Sequence, residues 1–400
     1  MLKVVGRLRD NGYEALLAGG CVRDMLLGKK PNDYDVATNA TPETITKLFK
    51  RTLTVGAQFG VVVVLLGGRQ VEVATFRSDQ SYRDGRRPEN VVFTDARHDA
   101  QRRDFTINGM FYNPLADRII DYVGGKDDLR KGVVRAIGSA ARRFEEDHLR
   151  MLRAIRFAGR LDFQIEQKTF QAIRKNADKL ERISAERVAG ELEYILADPN
   201  RKRGLMLAYE SGLLEIIFPV LDEADLCFGI KIASALPKKC SFALALAALL
   251  INCDGKKSKR IGRDLKTSNE LRSQVSWLIN NRQVLLDSVP LSKGRLKQWL
   301  AEPLFETLLQ LVRTHVRVTS TGNDQLRTLR KQIADLGDEP LTPPRLLDGH
   351  DLIKLGAVPG PMVGQLAEEL YLAQLENHLQ NRRQAETWVK KWLSRHHNQD

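Results

Sequence analysis

The apolar pattern of this chain changes character once, near residue 139, and nothing else in the sequence restricts its fold as much. Before that point, short β-branched runs alternate with short amphipathic stretches. Residues 61–66 and 70–76 are two such runs, separated by Gly67-Gly68, a turn pair that joins consecutive strands as a hairpin. Residues 34–37 read as another strand and residues 22–27 as a short helix. Residues 41–49 read as a helix opening on Thr41-Pro42-Glu43, where a hydroxyl cap, a proline and an early acid coincide. Beyond residue 139 the period is helical throughout: 144–160, 167–180, 184–196, 201–213, 240–252, 267–285, 302–316, 323–336 and 362–393. Strands mixed with helices and then helices alone predict an α/β N-terminal part on an all-α remainder. A chain of 400 residues suffices for two to four compact modules.

Charge narrows the partners. The formal net charge is +13 and the pI about 9.6, a balance that favours a polyanion, because Lys and Arg release counterions when they meet phosphates. The excess is uneven: residues 251–300 hold 11 Lys/Arg against 4 Asp/Glu, densest at Lys256, Lys257, Lys259 and Arg260. Aromatic residues make up only 6%, so stacking platforms for single strands are expected to be scarce. Cys21, Cys227, Cys240 and Cys253 form no CxxC pair, which argues against a zinc site. The longest apolar run, residues 242–251, is too short to span a bilayer, and no signal peptide opens the chain. A cytoplasmic protein with reduced thiols is the expectation.

The first chemical signal is Asp33-Tyr34-Asp35. On a strand, two acids two apart point to one face, with Cα atoms roughly 6–7 Å apart. Carboxylates so spaced suit a pair of Mg²⁺ ions about 3.5–4 Å apart, one activating an attacking hydroxyl and one holding a triphosphate. Gly19-Gly20 lies 13 residues upstream, at the end of a strand and before a helix, where glycine lets backbone N–H groups approach phosphates. Arg23 sits one turn into that helix. Glu72, between Val71 and Val73, is a candidate third acid.

Two basic constellations follow. In Arg102-Arg103-Asp104 a pair of guanidiniums stands beside an acid expected to orient one of them. In Glu146-Asp147-His148-Leu149-Arg150-Met151-Leu152-Arg153, a continuous helix would gather Asp147, Arg150 and Arg153 within an arc of about 120°, opposite an apolar face. An acid and an arginine side by side imitate a base-pairing edge that accepts from the amine of C or A and donates to the ring acceptor. Arg156 falls in the apolar arc, which suits a buried, paired arginine. Asp84-Gly85-Arg86-Arg87 lies in a Gly- and Pro-bounded stretch, 78–90, read as a loop.

Together, LLAGGCVRDMLLG (16–28), NDYDVATNATPE (32–43), VEVATFR (71–77), DGRR (84–87), RRDFTIN (102–108), EEDHLRMLRAIRFAGRL (145–161) and ISAERVAGEL (183–192) resemble the class II tRNA nucleotidyltransferases and bacterial poly(A) polymerases of the polymerase β superfamily. Order and spacing agree over about the first 220 residues. The resemblance implies a nucleotidyltransferase head with a polymerase β-like mixed sheet over residues 1–138. It implies an all-α neck over 139–200, a body over 201–290 and a tail over 291–400, the last two binding RNA. It assigns Asp33 and Asp35 to catalysis and to Mg²⁺. Gly20, Arg23 and Arg103 go to the nucleotide's phosphates or sugar. Asp147 and Arg150, supported by Glu146, go to the incoming base, and Arg153 and Arg156 complete the nucleotide pocket. Asp84 and Arg87 match a loop tied to the switch from C to A addition. The implied substrates are CTP, ATP and the 3′ end of tRNA. Val55-Gly56-Ala57-Gln58-Phe59-Gly60 is similar to the CCA-adding type, and the last 50 residues carry 6 Lys/Arg and 6 Asp/Glu, so there is no basic tail. A poly(A) polymerase or an A-adding enzyme of the same family is the alternative.

Overall fold

The computed structural model describes residues 1–82 and 88–396. Contacts divide it into two units, residues 1–242 with 261–268, and residues 243–260 with 269–400.

The first unit begins with α1 (Leu2–Asp10), β1 (Ala15–Ala18), α2 (Gly20–Leu26), β2 (Asp35–Thr38) and α3 (Pro42–Leu48). There follow β3 (Thr52–Gly56), β4 (Val61–Leu66), β5 (Arg69–Thr75), β6 (Arg77–Tyr82), β7 (Pro88–Phe93), α4 (Ala96–Arg102), β8 (Met110–Asn113), β9 (Arg118–Asp121) and α5 (Gly125–Lys131). Seven strands form one sheet in the order β3-β4-β5-β2-β1-β8-β9. Its β2–β5 neighbours run parallel and its other pairs antiparallel, so the sheet is mixed as expected. The Gly67-Gly68 turn makes the β4–β5 hairpin, with both glycines at positive φ. Thr41 caps α3 by accepting from the Thr44 N–H, with Pro42 in the first turn, a start worth about 1 kcal/mol. One sheet face closes on α4 through Leu16, Ala18, Ala37, Phe76, Ala96, Ala100 and Phe111.

Two readings need correction here. Residues 77–82 and 88–93 pair as a two-stranded ribbon where a loop was expected over 78–90. Alternation of Ser, Gln and Tyr is a weak apolar signal, so turn residues outweighed it. Asp84 and Arg87 lie outside the described residues. The chain also returns briefly to strand after residue 139, where β11 (Gln164–Ile165) runs parallel to β10 (Val133–Val134).

The helical part of this unit holds α6 (Ala140–Glu146), α7 (Arg150–Leu161), α8 (Gln167–Lys175) and α9 (Ala185–Leu196), then helices Arg201–Glu210, Leu213–Ile217 and Glu223–Ser234. α7 buries Leu152 and Ile155 of the apolar arc read from its period, and with them Met151, Ala154, Phe157, Ala158 and also Arg150, from the arc expected to be polar. A Cβ on Gly159 would stand 3.1 Å from the Gly204 Cα, so α7 meets helix Arg201–Glu210 backbone to backbone.

The second unit is helical, from Asn269–Asp287 through Arg382–His396, with a core of Leu347, Leu352, Leu366, Leu370, Val389 and Trp392 among others. The long period over 362–393 resolves into Pro361–Leu375 and Arg382–His396, with Asn377 at φ 64 between them. Among the described residues, no helix is long and apolar enough to cross a membrane.

Candidate functional site

A cleft of about 490 Å³ opens in the first unit where the glycine turn after β1, the start of β2, the end of α4 and helix α7 converge. It gathers Gly20, Arg23, Asp35, Arg103, Asp147, Arg150, Arg153 and Arg156. Eight arginines line it against three aspartates, Asp35, Asp104 and Asp147, so it favours an anion.

Each side chain arrives by a local rule. β1 ends at Ala18, and the chain turns through Gly19 at φ 73, a left-handed backbone that glycine alone adopts freely. A Cβ there would stand 3.0 Å from Arg103 Nη1 and 3.8 Å from Asp35 Oδ2. Of the glycine pair, Gly19 is therefore the residue whose smallness brings Arg103 and Asp35 together. A Cβ on Gly20 meets Arg23 only at ordinary contact distance, 3.6 Å.

The arginines are held before any ligand arrives. Arg23 donates to Asp24 Oδ1 at 2.7 Å and to Asn108 Oδ1 at 2.8 Å, and its guanidinium lies 5.2 Å from the Phe157 ring centre. Arg102 and Arg103 both donate to Asp99, at 2.7 and 2.9 Å. Asp99 is buried; burial works against its charge, yet the two guanidiniums hold its carboxyl below the usual range. This corrects the expectation that Asp104 orients one of that pair. Asp104 instead takes both the Nε and Nη2 hydrogens of Arg153 on Oδ2, at 2.9 and 2.7 Å. Its Oδ1 accepts from the Phe105 N–H and from Asn108. Burial would raise Asp104, but Arg153 and these bonds hold it down at about 2. Asp99 stands three and four residues before the two arginines, the ordinary spacing of a helical ion pair, and it went unnoticed because no helix was expected over 96–102.

The segment expected to read the base departs furthest from expectation. Residues 144–160 are not one helix: α6 ends at Glu146, Asp147 is extended at φ −149 and ψ 104, and α7 begins at Arg150. Asp147 causes the break, because its Oδ1 accepts from the Leu149 N–H two residues on, a local bond that competes with helix. The other oxygen accepts from Arg187 Nη2 at 2.9 Å. Arg150 donates to Glu146 Oε2 at 2.8 Å, and to the carbonyls of Arg143 and Arg102. The helical arc is thus lost, but Asp147, Arg150 and Arg153 still border one cleft. Arg156 both lines the cleft and pairs with Glu191, at 3.2 Å, while stacking 4.7 Å from Phe157 and 5.0 Å from Tyr194. Burial raises the Glu191 carboxyl, and Arg156 only partly opposes this. Arg187 and Glu191 went unnoticed in the sequence; their signal was a charged pair four apart on the inner face of α9.

The acids differ from their sequence reading in one respect. β2 begins at Asp35, so Asp33 lies in the bend before the strand, not on it. The stretch Lys29-Lys30-Pro31 leads into that bend, and proline cannot donate to a strand ladder. Asp35 borders the arginine cleft, whereas Asp33 borders a neighbouring hollow with Lys30 and Tyr34. Glu72 stands opposite Asp35 in the parallel β2–β5 register, so both side chains share a sheet face. Burial first, then Glu72 and Asp33, push the Asp35 carboxyl up to about 6, with Arg103 opposing. Among the described residues, no three His, Cys, Asp or Glu side chains form a metal group. The donors nonetheless suit a hard divalent cation. Three carboxylates repel one another around Asp35, a cation relieves that repulsion, and further oxygen ligands come with a triphosphate.

Comparison with known proteins follows this geometry. A family model described as the poly A polymerase head domain matches residues 15–135, and one described as a probable RNA and SrmB-binding site of polymerase A matches residues 162–225. The CCA-adding enzyme of Lactobacillus johnsonii is 33% identical over 395 residues, covering 96% of this chain and 95% of that protein. The CCA-adding enzyme of Bacillus pumilus is 32% identical, covering 98% and 96%. Among solved structures, the Bacillus stearothermophilus CCA-adding enzyme in complex with CTP matches with a TM-score of 0.81 at 30% identity, over 99% of this chain and 98% of that one. The Thermotoga maritima CCA-adding enzyme complexed with tRNA shares the fold, at a TM-score of 0.70 and 21% identity.

Proposed function

Since this chain belongs to the CCA-adding enzyme family over nearly its whole length, we propose that its arginine cleft binds CTP and ATP, and that it adds C, C and A to the 3′ end of tRNA. The observation that carries the reading is the cleft itself: seven carboxylate-tethered arginines and one partly buried aspartate around a glycine turn. Guanidiniums fixed by Asp24, Asp99, Glu146, Asp104, Glu191 and Asp147 meet a triphosphate without first losing side-chain freedom.

Asp33 and Asp35 would hold Mg²⁺, with Glu72 beside them. That ion supplies charge neutralisation at the α-phosphate and an acidified 3′ hydroxyl. Arg23 and Arg103 hold the phosphates or sugar. Asp147 accepts from the exocyclic amine of cytosine or adenine, and Arg150 donates to the ring nitrogen; U and G present the wrong edge. Arg153 and Arg156 close the pocket. Residues 1–138 serve catalysis and 139–200 carry base selection. Residues 201–290 and 291–400 bind the RNA. Cytoplasmic residence agrees with four free cysteines.

The deciding assay uses tRNA lacking its 3′ end, supplied with CTP, with ATP, or with both, and sequencing of the products. Addition that stops after CCA is the expected outcome. A long A tail identifies a poly(A) polymerase, and a single A on a CC end identifies an A-adding enzyme.

Base choice gives a second test. Arg150→Ala is expected to reduce discrimination against UTP and GTP roughly 10- to 100-fold, the 1–3 kcal/mol of one bidentate contact. Retained discrimination in single-turnover competition would remove Arg150 from base reading.

A further inference from the structure

The cations that line the cleft, Arg160 apart, are tied to carboxylates; a second set on the same unit is not. Arg7, Lys50, Arg51 and Arg69 border a hollow of about 510 Å³ between α1, the end of α3 and the β4–β5 turn, and no acid lines it. Arg51, Leu65 and Gln70 lie side by side at this edge, because Leu65 donates to the Arg51 carbonyl and pairs with Gln70. The turn is Gly67-Gly68, so no side chain covers the hollow there. Arg7 lies 5.5 Å from the Phe49 ring, and all four cations are exposed. Among the described residues none of them makes an ion pair.

Arg69 and Gln70 also line the adjoining hollow of about 910 Å³, which adds Lys3 and Lys30 and ends at Asp33. The two hollows share Arg69 and Gln70 and so form one basic track that reaches Asp33. Asp33 borders this track and not the cleft, and stands two residues before Asp35, which borders the cleft. Six cations against the single carboxylate of Asp33 cost self-repulsion, which a polyanion relieves.

We infer that this track carries the sugar–phosphate backbone of the RNA strand being extended, and delivers its 3′ end to Asp33 while the triphosphate occupies the arginine cleft. This rests on the function proposed above. The track is a surface for phosphates, without base contacts, so its contribution is independent of RNA sequence and falls with salt.

The test compares the full-length protein with Arg51→Ala/Arg69→Ala and Arg51→Lys/Arg69→Lys. Affinity for tRNA lacking its 3′ end is measured from 50 to 300 mM salt. The alanine variant is expected to bind roughly tenfold more weakly, with a log–log salt slope shallower by about 2, one for each lost phosphate contact. The KM for CTP and kcat at saturating tRNA stay unchanged, and the lysine variant restores binding. Thermal melting checks that each variant is folded. Affinity within twofold of wild type and an unchanged slope overturn the inference. If the wild-type protein binds tRNA but adds no nucleotide, the function above fails, yet the slope comparison still decides the track, because it reads binding alone.

Discussion

Asp35→Asn will stop nucleotide addition and at the same time raise the melting temperature of the metal-free protein. The loss of activity is expected to reach roughly 10³-fold or more, equivalent to about 4 kcal/mol of transition-state stabilisation by a metal-holding carboxylate. The gain in stability follows from the raised carboxyl. In the folded chain Asp35 gives up its proton near 6, because it is half-buried beside Glu72 and Asp33. In the unfolded chain it does so near the ordinary carboxylate value. The folded state thus binds more protons between these two values, and its stability falls as pH rises through that window. Above about pH 6 the ionised side chain costs on the order of 2 kcal/mol, which asparagine removes. Melting of both proteins in chelator at pH 8 and at pH 4 checks this. The variant's advantage should appear at pH 8 and vanish at pH 4. An advantage of equal size at both would refute the electrostatic account, and an active variant would remove Asp35 from the chemistry.

Asp104→Ala should have the opposite character, a structural loss of about 3–5 kcal/mol, because it strands the charge of Arg153 and orphans the Phe105 N–H and one hydrogen of Asn108. Here the shift runs downward, to about 2. The contribution is therefore present above the ordinary carboxylate value and disappears as pH falls from about 4 towards 2. Urea unfolding at pH 7 reads the loss directly. A cost below about 1 kcal/mol would show that Asp104 and Arg153 do not depend on each other as their geometry implies.

Much of this site was readable from residue order, and the parts that were not share a cause. Asp35, Arg23, Arg103, Asp147, Arg150, Arg153 and Arg156 were each nameable, and all border one cleft. The resemblance to the nucleotidyltransferases named the full set; spacing alone gathered Asp147, Arg150 and Arg153, and it did so on a continuous helix that the structure breaks. The same rules cannot see which carboxylate holds which arginine. Glu191 acts between helices, and Asp104 gives one oxygen to Arg153, 49 residues distant, while the other stays with Phe105 and Asn108. The helix over 144–160 failed for a related reason. Asp147 has an adequate helical period around it, but a side chain that bonds its own backbone outcompetes the period. Strand β6 was missed because its polar residues show no apolar alternation, and β7 because Pro88 and Asn90 outweighed the short run Val91-Val92-Phe93.

The first unit is closed by residues that come late in the chain. Ile261 and Leu265 are buried, and they line an apolar hollow with Ile183, Val188 and Phe218, all in that unit, although residues 243–260 belong to the other one. A protein cut at residue 242 would therefore lack one wall of that hollow and expose aliphatic surface, and is expected to aggregate. During synthesis the same topology postpones completion of the first unit until residues 261–268 have emerged, so its maturation waits on translation of a stretch that belongs to the other unit.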